Sequence, residues 1–150
     1  MSKNLFEPSG ANDIFQRLSR LGPDSKPRWG KMTVSQMLAH CGTSFEVALG
    51  DKTLKRSWIG FLFGKMAKKQ MVNEKPFKQN LPTAPEFLVK NDRNFEEEKQ
   101  KLEVLIHRIL AADKDVIASS KHPFFGAMTG DDWGVLGYKH LDHHLRQFGV

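Results

Sequence analysis

The chain has 150 residues, 39% hydrophobic and 27% charged, with a mean hydropathy of −0.48. This is the composition of one globular domain spanning residues 1–150 and excludes a disordered or fibrous chain. The net charge of +6 is uneven, with 13 Lys/Arg against 6 Asp/Glu in residues 1–75 and 10 against 11 in residues 76–150; a solvated basic surface is the simplest account of so modest an excess.

The first residues, Met-Ser-Lys-Asn-Leu-Phe-Glu-Pro, contain no apolar core of the kind a secretory signal needs, so a cytoplasmic protein is expected. Asn12–Leu21 spaces Ile14, Phe15, Leu18 and Leu21 as a helix that Gly22-Pro23 stops. Thr33 opens a second helix, with Gln36 three residues on as in a capping box. Its apolar stripe is Val34, Met37, Leu38, Cys41, Phe45 and Ala48, and Gly50 ends it.

Residues 54–72 read as a further helix with Trp58, Phe61, Leu62, Met66 and Val72 roughly on one side, at core spacing, and lysines such as Lys65, Lys68 and Lys69 on the others. Its run Trp58–Phe63 is the longest apolar stretch. It is far short of the ~20 residues that cross a bilayer, so no transmembrane segment is expected. Left exposed, it would be a homodimer contact. Lys75–Glu86 holds three prolines without periodicity and reads as a crossover or lid. From Asn91 to Ala112 a long amphipathic helix turns Phe95, Leu102, Leu105, Ile106 and Ile109 inward, with Glu96–Glu98 in its first turn. Ser119–Gly130 is a Gly/Pro loop, and Thr129 caps a final helix that runs to Phe148. No segment alternates as a strand does, so the fold class is all-α, a helical bundle with a long crossover between its second and third core helices.

The final helix carries the chemistry. With Trp133 facing inward, its inner stripe is Trp133, Leu136, Gly137, His140, His144 and Phe148. His140 and His144 then lie one turn apart on the buried face, the spacing by which a helix offers two nitrogens to one metal ion. A structural pair with satisfied ring nitrogens would have the same spacing. His143 is rotated by ~100° from His144 and is expected to be a supporting or surface group. His40, at the edge of the second helix's stripe, could meet the pair across the ~8–10 Å that separates packed helices. Three imidazoles would leave a fourth position for water or substrate, the catalytic arrangement. His107 falls on a polar face beside Arg108, and His122 before Pro123 suits a turn or capping role. Cys41, the single cysteine, excludes a disulfide framework and a multi-cysteine zinc module, and reads as a buried small hydrophobe.

The segments Trp29-Gly-Lys-Met-Thr-Val-Ser-Gln-Met-Leu-Ala-His40-Cys and His140-Leu-Asp-His-His144-Leu-Arg-Gln resemble the two signature regions of the DinB/YfiT-like metalloenzyme superfamily. His122-Pro-Phe-Phe-Gly and Thr129-Gly-Asp-Asp-Trp133 are similar to one of its uncharacterised bacterial subfamilies, a domain of unknown function. The resemblance runs from about Asn12 to Phe148. It implies an up-down-down-up four-helix bundle and a metal triad of His40, His140 and His144 holding a divalent ion, zinc or nickel. It also implies a small-molecule substrate, in some relatives handled with a low-molecular-weight thiol.

Such a site would activate a bound water or thiol, which makes a metal-dependent transferase or hydrolase the first reading. No His-Glu-x-x-His pattern supplies a general base. Glu46 is expected to point elsewhere, and Asp142 to lie on the opposite side of the final helix. The alternative is a metal-binding or degenerate-site interaction module without catalysis. A third reading, a basic binder of nucleic acid or of a membrane surface built on residues 52–72, lacks any recognised nucleic-acid motif, so nucleic acid is not the expected partner.

Overall fold

The computed structural model describes residues 3–73 and 75–150. Six α-helices follow one another among them: α1 (Pro8–Leu18), α2 (Val34–Ala48), α3 (Trp58–Met71), α4 (Phe95–Ala111), α5 (Lys114–Ser119) and α6 (Gly130–Gln147). A single 3-10 turn, Pro85–Phe87, interrupts the crossover. The described residues contain no strand, only an isolated bridge between His122 and Gly126. None of their helices is long and apolar enough to cross a membrane.

Capping chemistry fixes both helices that carry the key histidines. The Thr33 hydroxyl accepts the Gln36 N–H at 3.2 Å while Gln36 Oε1 accepts the Thr33 N–H at 3.0 Å. Thr129 and Asp132 repeat the exchange at the start of α6, at 3.0 Å in each direction. Asn94 caps α4 by accepting the Glu97 N–H, and three glutamates in that first turn complement the helix dipole.

The predicted inner stripes of α2 and α4 are buried in full, and α2 packs most extensively against α4. The final helix, α6, lies beside both α1 and α2, with α5 against it. Leu38, Leu102, Ile106, Leu141 and Leu145 meet at the centre of the core without solvent exposure.

Three expectations need correction. The first helix starts at Pro8, where proline's fixed φ suits the first helical position, and it ends at Leu18 rather than Leu21. Residues 114–119 form α5, a helix of six residues that is too short to display a period. The third helix begins at Trp58, capped by the Ser57 hydroxyl, and not at residue 54. Its large side chains do not occupy a core: Trp58, Phe61, Leu62 and Met66 are exposed, and Gly60 and Gly64 are buried instead. A Cβ on either glycine would fall 2.4–2.5 Å from the Phe124 carbonyl oxygen, so the helix is seated on the 122–126 loop by the residues that lack one. Lys65 and Lys69 are exposed as expected, whereas Lys68 is partly covered and paired with Asp132 at 3.2 Å.

Candidate metal centre

The α2–α6 contact brings His40 against His140 and His144. All three pairs of ring centroids are 4.8 Å apart, and one ligating nitrogen from each ring lies within 4.8 Å of the other two. His40 and His144 are buried and His140 partly so.

Hydrogen bonds outside the cluster decide which nitrogens face it. His40 Nδ1 donates to the Phe87 carbonyl at 2.9 Å, which leaves the Nε2 lone pair free. His144 Nδ1 is 2.8 Å from Gln147 Oε1, an acceptor, and so carries the proton. Gln147 is itself oriented, because its amide nitrogen donates to the Trp29 carbonyl at 2.7 Å. Nδ1–H tautomers held by outer partners are the usual support of histidine metal ligands. His40 Nε2 and His140 Nε2 are only 2.8 Å apart. With the His40 proton on Nδ1, the donor in this contact is His140 Nε2–H; that proton would move to His140 Nδ1 for its Nε2 to ligate a cation.

Burial keeps these rings neutral. The pKa of His40 is lowered by desolvation, that of His140 well below the ordinary range by desolvation and then by its histidine neighbours, and that of His144 to about 3 by the same causes. Neutral imidazoles with free lone pairs are what a divalent ion requires.

The remaining histidines separate. His107 is exposed and stacks on Phe15, remote from the cluster. His143 is buried rather than on the surface, between Trp29 and Phe77, but lies outside the triad. His122 does what its place before Pro123 suggests: Nδ1 accepts the backbone N–H groups of Phe124 and Phe125 at 3.1 and 3.2 Å. The proton therefore sits on Nε2, on a ring that also lines the cavity beside the cluster. Cys41 is fully buried and its thiol is pushed far up by desolvation, the opposite of an activated nucleophile. Glu46 pairs with Lys101 at 2.7 Å, and Asp142 with Arg17 and Arg146 at 2.9 Å, so neither reaches the site.

The cluster opens into a cavity of about 810 Å³ with a mostly apolar lining that includes Phe45, Phe77, Phe87, Phe125, Trp133 and Leu136. Residues 77 and 80–88 of the crossover form part of its wall, and Glu86 is the single carboxylate among the described residues of that lining. Lys139 holds the start of this wall, donating to the Asn73 carbonyl at 2.7 Å with its ammonium over the Phe77 ring.

The comparison with known families bears on this geometry. Residues 11–148 match the family described as the DinB superfamily. The chain belongs to the DinB superfamily. No curated protein and no solved structure matches it. Within this DinB chain, sequence reasoning missed Gln147 and Phe87, which hold the tautomers of His144 and His40. Gln147 could have been found from its i+3 spacing to His144, whereas Phe87 acts through its backbone and leaves no trace in the pattern.

Proposed function

We propose that this DinB-superfamily chain is a metal-dependent enzyme whose ion, zinc or nickel, is held by His40, His140 and His144. The observation that carries the reading is the pair of outer hydrogen bonds, His40 to Phe87 and His144 to Gln147, which turn two Nε2 lone pairs toward His140 in an apolar cavity. A divalent ion in such a site supplies Lewis-acid chemistry and lowers the pKa of an acidic group brought to it.

The residues of the chain do the rest. The aromatic walls exclude water and select a largely apolar small molecule. The Nε2–H of His122 offers a neutral donor to a substrate oxygen. Three neutral ligands leave the ion's charge undiminished, which suits transferase or hydrolase chemistry on a substrate thiol or water. The helices α1, α2, α4 and α6 are read as the family's up-down-down-up bundle, one domain over residues 1–150.

Metal analysis of protein made without a polyhistidine tag tests the reading. Wild type is expected to hold about one equivalent of ion. His140→Ala and His144→Ala should lose it, and His143→Ala should keep it. Retention by His144→Ala, or a wild type that takes up neither zinc nor nickel, overturns the assignment.

A further inference from the structure

The outer face of α3 combines two properties that do not suit water. Trp58 and Phe61 are 72% and 71% exposed, and Leu62 and Met66 are each 61% exposed. They are held outward because the Gly60–Gly64 side is the only one that fits the Phe124 carbonyl. The charge around them is of one sign: residues 52–72 contain six Lys/Arg and no Asp/Glu. Lys68 is engaged by Asp132 and the Ala127 carbonyl. Lys52, Lys55, Arg56, Lys65 and Lys69 are exposed, with no carboxylate partner among the described residues. The order along the segment is basic, apolar, basic.

We propose that this face docks α3 onto the surface of an anionic lipid bilayer, with the helix in the plane of the headgroups. The exposed face carries Trp58, Phe61 and Leu62 in its first turns and Lys65 and Lys69 further along the same side, so it gains both from burying the apolar groups below the headgroups and from the negative surface potential. A second copy of this chain fits less well, since pairing the same face would oppose two acid-free basic segments. Single-stranded nucleic acid would use the aromatic rings for stacking but leave Leu62 and Met66 without a partner. The inner edge of the same helix, at Ile59, Ala67 and Met71, lines the histidine cavity, so docking brings the bilayer alongside the cavity wall. The docking itself does not depend on a bound metal.

The test is flotation of the full chain with vesicles of phosphatidylcholine alone or mixed with phosphatidylserine, followed by Trp58 emission. The expected result is co-flotation with the anionic vesicles only, release on raising the salt, and a blue shift that Trp58→Phe abolishes. Phe61→Glu/Leu62→Glu and Lys65→Glu/Lys69→Glu should each weaken binding by about tenfold or more. All four side chains are exposed, so the circular dichroism melt and metal content should stay at wild-type values. No flotation with anionic vesicles overturns the proposal, as does undiminished flotation of the Phe61→Glu/Leu62→Glu variant. So does a dimer broken by that variant in a protein that ignores vesicles, or preferential binding to single-stranded DNA.

Discussion

Gln147 has no charge and offers the cluster no ligand, yet it determines which nitrogen of His144 is presented. The Trp29 carbonyl fixes the amide so that only Oε1 can meet the ring. Gln147→Ala should therefore weaken metal binding by about 10–100-fold, read by competition with a chelator, while the helical spectrum is kept. Protonation gives a second prediction. Burial depresses the folded pKa of His122 to about 4 and of His144 to about 3, from an ordinary value of 6.5. Below 6.5 the unfolded chain takes up protons that the folded one refuses, so folding loses stability as the pH falls toward 4 and 3. The metal-free protein should melt at progressively lower temperature from pH 6.5 downward, and show little dependence from these rings above pH 7. A melting temperature flat between pH 6.5 and 4 would contradict neutral buried histidines.

At the scale of the element, legibility followed the depth of packing. The stripe of α4 could be read because that helix buries one face along its length, where a 3.6-residue period survives; α2 and α6 are buried on more than one side, and in α6 the predicted stripe left out Tyr138, Leu141 and Leu145. His40, His140 and His144 were legible from their spacing on the predicted stripes of α2 and α6. The orientation of α3 was not, because its seat is made by the absence of side chains at Gly60 and Gly64 against a loop carbonyl, and a hydrophobic pattern gives weight only to side chains that are present. The crossover was recognisable as irregular, but nothing in its sequence placed the Phe87 carbonyl on His40. Two outcomes follow. Gly64→Leu should unseat α3, speeding amide exchange over residues 58–71 while α2, α4 and α6 keep their protection. Thr129→Ala should cost about 1 kcal/mol in denaturant unfolding by removing one half of the α6 capping box.

In the whole molecule, α2 is common to the core and the site: its Leu38 is buried against the apolar centre and its His40 reaches α6. Leu102→Ala, which empties part of that centre from the α4 side, should destabilise by about 2–5 kcal/mol and lower the melting temperature by roughly 2–4 °C per kcal/mol, with metal stoichiometry unchanged below the transition. The bond from His40 to the Phe87 carbonyl has a wider consequence. It joins His40 to a segment 47 residues away in sequence, which makes the order of residues 85–87 and the ring's tautomer thermodynamically linked. Linkage is reciprocal: whatever fastens residues 85–87 favours the tautomer with the proton on Nδ1 of His40, and anything that favours that tautomer fastens residues 85–87 by the same free energy.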